Sequence, residues 1–171
     1  SMEDPIISGV VTDVSEAKVT VLGVPDQPGV SAALFEPLAA KNVNVDMIVQ
    51  NTSTEGHTDI SFTVPLADLK VSNEIVDQVA AQIGAKGITH DREIAKVSLV
   101  GAGMKTSPGI AAKMFRTLAD EGVNIEMIST STIRISVVVA ATDVERAARC
   151  LHTAFGLDTG QAYSAPLPER K

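Results

Sequence analysis

The sequence predicts an α+β protein that contains two copies of one small unit, and three observations lead to this prediction. Residues 28–51 match residues 108–131 at an offset of 80. In both copies, short β-branched runs and longer amphipathic runs follow one another in the same order. Hydrophobic residues make up 44% of the 171 residues, yet aromatic residues make up only 3% and Trp is absent. Such a composition favours thin layers of helix on sheet with small aliphatic cores.

The repeat is specific enough to identify two copies of one unit. Ten of the 24 aligned positions are identical, and they include a Pro-Gly pair near the start and a Val-Asn pair near the end. Acidic and branched aliphatic positions also keep their chemical type, as at Asp46 and Glu126. Each copy therefore forms a unit of about 75 to 80 residues.

The periods within each copy predict its elements in order. A β-branched strand comes first, at 17–23 and at 95–101, and a Pro-Gly turn then leads into an amphipathic helix. Two further strands follow, and after them a second helix, at 69–83 in the first copy. We place the apolar face of that helix on the stripe formed by Val71, Ile75, Val79 and Ile83. The second helix of the other copy is expected at 143–155, and the remaining strands at 45–50, 57–65, 88–90, 125–130, 134–139 and 161–164.

The order βαββαβ is that of the ferredoxin-like fold, in which two helices cover one face of an antiparallel four-stranded sheet. We predict one such domain at 15–92 and another at 93–165. The run 5–12 precedes the first copy and predicts an extra strand that completes the sheet of the second copy. The first copy would then be inserted within the second. Residues 166–171 are expected to form a flexible tail.

Composition limits the classes of partner. The formal net charge is −7 and the sequence pI is near 4.9, so the clustered cations and exposed aromatics of nucleic-acid binding are missing. Cys150 is the single cysteine, and the three histidines are scattered, which argues against a disulfide or a metal site. No apolar run is long enough for a membrane span. These features predict a cytoplasmic protein without a metal or another cofactor.

No set of residues predicts catalysis. The stretch 101–109 is rich in glycine, but Met104 stands where a P-loop needs glycine before the lysine. Thr106 stands where a dinucleotide fingerprint needs its third glycine. The stretch therefore indicates a loop between a strand and a helix, and Cys150 lies in a helical pattern that predicts a buried thiol.

The loop before the first helix indicates a different chemistry, the binding of a free amino acid. The start of that helix, at Val30 and Ser31, presents unpaired backbone amides that suit a carboxylate. Asp26 precedes them and could hold an ammonium group. From spacing alone, the alternative stays open that Asp26 only orders its own turn or caps a helix.

A family resemblance adds to this interpretation. Asp26-x-Pro28-Gly29 followed by an amphipathic helix resembles an ACT domain, a ferredoxin-like module that binds small molecules. The stretches 43–51, 96–104 and 123–131 closely resemble the C-terminal regulatory region of aspartokinase, which carries paired ACT domains. The resemblance implies allosteric feedback inhibition of the ATP-dependent phosphorylation of aspartate, in lysine, threonine and methionine biosynthesis. It also implies a regulatory β subunit without a catalytic domain, a homodimer through ACT domains, and a catalytic α subunit as partner.

The resemblance further implies two effector sites at ACT–ACT dimer interfaces. Thr132 stands where the family pattern has glutamate, so threonine is the expected ligand in preference to lysine. The threonine-type site is expected at Asp26, Val30, Ser31, Gln50, Asn124 and Ile125. The weaker, lysine-type site is expected at Asp46, Ser107, Gly109, Ile110, Ala111 and Ser131.

Two alternatives stay open at the level of sequence. The first is a stand-alone ACT-repeat protein that senses another amino acid and regulates another enzyme. The second is a small enzyme on the same fold, since a fold does not determine a function. Capture of a kinase-bearing chain argues against the first alternative, and turnover of ATP with aspartate by this chain alone would support the second.

Overall fold

The protein forms two compact units, seen here in a computed structural model that describes residues 6–103, 107–159 and 163–164. The first unit is Ser15–Glu93. The second unit combines Ser1–Val14 with Ile94–Lys171. Among the described residues, no helix is both long and apolar enough to cross a membrane.

Strands and helices follow one another in the predicted order, with short 3-10 turns at Leu66–Asp68, Ala141–Asp143 and Leu157–Thr159. In chain order the elements are β1 (Ile6–Asp13), β2 (Glu16–Pro25), α1 (Val30–Ala40), β3 (Ile48–Gln50), β4 (His57–Pro65), α2 (Leu69–Ile83), β5 (Gly87–Asp91), β6 (Ile94–Ala102), α3 (Pro108–Asp120), β7 (Met127–Thr130), β8 (Arg134–Ala140), α4 (Val144–Ala154) and β9 (Tyr163–Ser164).

The sheet of the first unit has the strand order β3-β4-β2-β5, and all its pairs are antiparallel. Val19 lies opposite Phe62 in the register, and Val21 lies opposite Ile60. These side chains share one face of the sheet, and both helices bury their apolar sides on that face. The core is composed of Ala17, Val19, Val21, Val24, Leu34, Leu38, Val43, Ile60, Phe62, Val64, Leu69, Val76, Val79 and Ala80.

The sheet of the second unit has the order β7-β8-β6-β1-β9. Strand β1 pairs antiparallel with β6, in the place that β5 takes beside β2 in the first unit. The two residues of β9 pair with Ile6 and Ile7 at the outer side of β1. The core repeats that of the first unit and is composed of Ile7, Ala95, Val97, Leu99, Ile110, Met114, Leu118, Val123, Ile135, Val137, Val139, Ala147, Leu151 and Phe155.

The structure confirms the predicted α+β class, with its antiparallel sheets and four α-helices. The predicted face of α2 packs on the core, since Val79 belongs to the core and Val71, Ile75 and Ile83 pack against it. The centre of the buried face is shifted from the predicted stripe by part of a turn. Val71 and Ile75 are only half-buried, whereas Ser72 and Val76 are fully buried. Ser72 can occupy the core side because its hydroxyl donates a hydrogen bond to the carbonyl of Asp68 at 2.7 Å. A small hydroxyl that is hydrogen-bonded within its own helix therefore lies on the core side beside Val76.

A glycine with close neighbours lies near the end of the first strand in each repeat. In the first unit the register of β2 against β4 shifts between Val21 and Val24, and Gly23 has a φ of +61°. In the second unit Gly101 passes so close to β1 that an added Cβ would lie 2.0 Å from the carbonyl oxygen of Ile6. Glycine is required at both places, in the first because of φ and in the second because of the neighbouring backbone.

Candidate functional site

Helix α1 begins at Val30 without a side-chain cap. Its N-cap residue is Gly29, with a φ of +88°, and no side chain accepts a hydrogen bond from the first helical amides. The Val30 amide donates only a long bond, 3.4 Å, to the carbonyl of Gln27. Ser31 is exposed. Because the first turn of a helix has no intrahelical partners for its amides, this terminus is open to an anionic group.

The carboxylate of Asp26 lies at the turn that leads into α1. The turn is held by the backbone, since the Asp26 amide donates to the carbonyl of Gly56 at 2.8 Å. The side chain is exposed, and within the described residues its carboxylate makes no hydrogen bond or ion pair. The alternative in which Asp26 orders its own turn or caps a helix therefore loses its support.

The other residues of the predicted threonine-type site are distributed over both units. Gln50 is exposed at the end of β3, where it lies opposite Ile60 in the register. Asn124 is exposed and Ile125 is half-buried, and both belong to the segment between α3 and β7 in the second unit. The structure thus brings Asp26, Val30 and Ser31 together on one turn of the first unit.

The predicted lysine-type site has a more buried character. Ser107 and Ile110, at the start of α3, are 3% and 1% exposed, so Ile110 can offer a ligand little beyond its backbone. The Ile110 amide already has a backbone partner, because it donates a hydrogen bond to the Ser107 carbonyl at 3.1 Å. Gly109 is exposed and Ala111 is half-buried. Residues 104–106 of this loop lie outside the described part of the chain.

Ser131 and Asp46 complete that predicted site. Ser131 is exposed in the tight turn between β7 and β8, and its amide donates to the carbonyl of Arg134 at 2.8 Å. Asp46 belongs to the first unit, where its amide donates to the carbonyl of Thr63 at 3.1 Å. Thr132 is exposed beside Ser131, so the position that distinguishes this chain from the family pattern is accessible.

The described residues do not form a metal centre or an activated thiol. Within those ranges, no group of three or more His, Cys, Asp and Glu side chains is placed to hold a metal ion. Cys150 is half-buried and donates to the carbonyl of Ala147 at 3.2 Å. Burial raises the pKa of its thiol, and the negative charge of Glu121 raises it further. A thiol in this state is a weak nucleophile near neutral pH.

One polar recess was missed by the interpretation of the sequence. It lies at the end of β2, has a volume of about 480 Å³, and is lined by Asp59 and Lys86 among other residues. The bulge at Gly23 was the signal that could have drawn attention to it, because an isolated glycine inside a strand pattern marks a bulge or a close approach.

Comparison with known families identifies both halves of the chain. Residues 18–84 match a family model described as an ACT domain, and residues 97–155 match a second model with the same description. The aspartokinase of Pseudomonas aeruginosa is 52% identical over 158 residues, which are 92% of this chain and 38% of that protein. The aspartokinase of Corynebacterium glutamicum is 48% identical over 91% of this chain and 38% of its own length. The chain therefore spans about two fifths of the curated relatives it matches.

Solved structures of similar length match along nearly their whole chains. A crystal structure of aspartokinase alpha and beta subunits includes a chain that is 48% identical, with a TM-score of 0.83, over 88% of this chain and 99% of that one. The ligand-free regulatory subunit of aspartate kinase from Thermus thermophilus is 40% identical, with a TM-score of 0.84, over 87% of this chain and 98% of that one.

Proposed function

Since this chain belongs to the aspartokinase family, as a regulatory region composed of two ACT domains, we propose that it binds end-product amino acids and thereby controls the phosphorylation of aspartate. Threonine is the proposed first effector, and lysine the second. Both matched domains are ACT domains, so the phosphotransfer chemistry is assigned to a catalytic subunit or domain and not to these residues. A cytoplasmic location is part of the same proposal.

The observation that carries this proposal is the pairing of Asp26 with the start of α1. The Asp26 carboxylate has no partner among the described residues, and the N-terminus of α1 has no side-chain cap. An α-amino acid has an ammonium group for the first and a carboxylate for the second. Gln50 of the same unit, with Asn124 and Ile125 of the second unit, would complete the threonine-type site across a dimer.

Threonine is preferred to lysine because of charge. A lysine side chain needs a carboxylate or several oxygen acceptors near its second ammonium group. Thr132 provides a hydroxyl where the family pattern has a glutamate. The lysine-type site at Asp46, Ser107, Gly109, Ile110, Ala111 and Ser131 is therefore proposed as the weaker one.

The edges of the two sheets provide a route from binding to regulation. Strands β3 and β7 are edge strands, and the equivalent residues Ile48 and Ile128 on them are 54% and 45% exposed. Exposed strand edges readily pair across a two-fold axis. An effector that contacts two subunits favours one assembly over another, with a coupling of about 1–3 kcal/mol. The proposed partners are a second copy of this chain and a kinase-bearing α subunit.

A domain organisation accompanies the proposal. We assign one ACT domain to 15–92 and the other to 93–165, with the N-terminal strand 5–12 completing the second sheet. The predicted tail, 166–171, lies outside the described residues. The pairing of β1 with β6 supports this assignment, because it leaves the first unit between two segments of the second.

A thermal-shift screen of the twenty amino acids tests the effector assignment. A ligand that binds only the folded state raises the melting temperature, so threonine is expected to give the largest shift and lysine a smaller one. Sedimentation with millimolar threonine should show stronger self-association. No shift and no change in association with either amino acid would overturn the proposal. A shift with an unrelated amino acid alone would favour a sensor for another enzyme.

A further inference from the structure

The polar recess at the end of β2 has the composition of a small-molecule site. Its volume of about 480 Å³ is within the range of ligand pockets. Hydroxyl and amide side chains of the β3–β4 loop form one wall, and a carboxylate and an amine are the charged groups. Its lining includes Thr52, His57, Thr58, Asp59 and Lys86.

Asp59 is fixed at the wall of this recess. Its Oδ1 atom accepts a hydrogen bond from the bulged amide of Gly23 at 2.9 Å, across 36 residues of sequence. The side chain is half-buried, which limits its freedom to turn away. A bond through Oδ1 leaves the second carboxylate oxygen as an acceptor. The bulge therefore presents a fixed negative charge to the recess.

Lys86 is held at the same place by contacts of its stem. Its amide donates to the carbonyl of Leu22 at 2.8 Å. Its side chain crosses Gly23 so closely that an added Cβ there would lie 2.6 Å from the Lys86 Cδ and Cγ atoms. The aliphatic stem thus packs on the bulge, and the ammonium group remains exposed at the end of the side chain.

The two charges line one recess without neutralising each other. No ion pair within 4 Å joins Asp59 and Lys86, and within the described residues the Lys86 ammonium has no acidic partner. The surrounding side chains are neutral donors and acceptors. His57 Nδ1 donates to the carbonyl of Glu55 at 3.1 Å, and the Thr58 hydroxyl donates to the carbonyl of Asn51. The wall is therefore internally bonded, while the opposite charges are left available.

We propose that this recess binds a small zwitterion, whose ammonium group meets Asp59 and whose carboxylate meets Lys86, with the Thr52 hydroxyl as a further polar contact. A molecule with both charges satisfies both groups at once, whereas an anion or a cation leaves one of them without a counter-charge. The site is separate from the proposed effector site, because Asp26, Val30, Ser31 and Gln50 are not among the residues that line it.

The experiment uses the whole chain and a series of zwitterions with increasing charge separation. The probes are glycine, β-alanine, 4-aminobutyrate and 6-aminohexanoate, with butyrate and butylammonium as singly charged comparisons. Binding is followed by NMR at the backbone amides of Gly23 and Lys86. At least one zwitterion is expected to shift both resonances in a saturable way, and the singly charged molecules should bind at least about tenfold more weakly.

Two variants remove one charge each and preserve the local structure. Asp59→Asn keeps an oxygen that can accept from the Gly23 amide, and Lys86→Met keeps a stem to pack on the bulge. Each is expected to weaken zwitterion binding at least about tenfold. The matched controls are Asp77→Asn and Lys70→Met on the exposed side of α2, and they should bind as the unchanged protein does.

Several results would overturn the assignment. These are the absence of a saturable shift with any zwitterion, equal binding of butyrate and 4-aminobutyrate, or unchanged affinity in both charge-removing variants. Asp26→Ala distinguishes this site from the effector site. The variant should keep the zwitterion-induced shifts of Gly23 and Lys86 even where it loses the response to threonine. The two proposals can therefore fail independently of each other.

Discussion

The two units differ most where the first strand of each repeat ends. In the first unit, the amide of Gly23 donates to a side chain, the carboxylate of Asp59, and the flexible stem of Lys86 covers the bulge. In the second unit, the amide of Gly101 donates to a backbone carbonyl, that of Ile133 at 2.9 Å, and the backbone of β1 covers the glycine. The glycine at the end of the first strand is thus contacted by side chains in the first unit and by main-chain atoms in the second.

This difference indicates which parts of a repeated fold can diverge. Equivalent core positions are apolar in both units, as at Leu34 and Met114, although their volumes can differ, as at Phe62 and Val137. At the end of the strand both units keep a glycine, but the groups that cover the glycine differ. Where side chains close it, as in the first unit, polar groups with spare hydrogen-bonding capacity can accumulate. Where backbone covers the glycine, as in the second, the contact needs no polar side chain.

Replacement of the two glycines gives the largest expected difference between the units. Gly101→Ala should cost about 4 kcal/mol of unfolding free energy, since the new Cβ would collide with the Ile6 carbonyl and displace β1. Gly23→Ala should cost about 1–2 kcal/mol, because only the Lys86 side chain must move and φ is strained. Hydrogen exchange of core-strand amides in the mutated unit measures both values.

Gly109→Ala is the control for that pair. It lies in α3 and a Cβ there meets no atom within 4 Å, so alanine should leave the stability unchanged or raise it by up to about 1 kcal/mol. Equal losses of unfolding free energy in Gly23→Ala and Gly101→Ala would show that it makes no difference whether side-chain or main-chain atoms contact the glycine.

A repeated hydroxyl pair gives an effect of intermediate size. The hydroxyls of Thr20 and Ser61 lie 2.8 Å apart across β2 and β4, and those of Ser98 and Ser136 lie 2.7 Å apart across β6 and β8. The second pair is buried, at 1% and 5% exposure, whereas the first is only partly buried. Ser98→Ala should therefore cost about 1–2 kcal/mol by leaving a buried hydroxyl unpaired, and Thr20→Val about 0.5 kcal/mol.

The double variant Ser98→Ala/Ser136→Ala distinguishes a lost hydrogen bond from a lost contact. It should recover part of the stability lost by Ser98→Ala, since it removes the stranded partner. Urea unfolding of the single and double variants provides the measurement. The interpretation would be contradicted if the losses of unfolding free energy in the single variants simply added in the double variant. It would also be contradicted if Thr20→Val lost more stability than Ser98→Ala, because burial would then not determine the strength of the hydroxyl pair.

The smallest expected effect concerns the thiol of the second unit. Burial and the charge of Glu121 both raise the pKa of Cys150, so the reactive thiolate is scarce at pH 8. Glu121→Gln removes a negative charge, lowers the thiol pKa, and should increase the rate of alkylation by iodoacetamide roughly twofold. Glu36→Gln, in the first unit, is the control. A slower reaction in Glu121→Gln would show that the Glu121 charge does not act on this thiol.

The sequence predicted most of the fold because periodicity reports burial directly. Strand β4 spans the predicted residues 57–65, since Ile60, Phe62 and Val64 alternate with side chains on the opposite face. Strands β3 and β7 begin two or three residues later than predicted. Before β3, two residues face one: the Thr63 carbonyl accepts from the Asp46 amide, and the Thr63 amide donates to the Met47 carbonyl, which does not extend the regular ladder. Met47 is buried, and Val45 and Ile125 pack against the cores, without belonging to a strand. Periodicity alone does not distinguish such residues from strand residues.

Some features of the candidate sites could likewise be predicted from the sequence, and others depend on tertiary packing. Asp26 and the start of α1 are neighbours in sequence, so their relation could be predicted from spacing. Asp59 and Lys86 are distant in sequence from Gly23 and meet only because β2 pairs with β4 on one side and β5 on the other. Both the bulge in β2 and the path of the Lys86 side chain follow from tertiary packing. No local sequence pattern predicts the contacts of Asp59 and Lys86 with Gly23.

Calorimetric titration of threonine into the unchanged protein, Asp26→Asn and Asp77→Asn tests the central claim most directly. Asp26→Asn keeps the shape of the turn but removes the charge proposed to hold the ammonium group, whereas Asp77 is exposed on α2. Threonine should bind the unchanged protein and Asp77→Asn equally, and Asp26→Asn at least about tenfold more weakly. Equal affinity in all three proteins, or no heat of binding in any of them, would contradict the account.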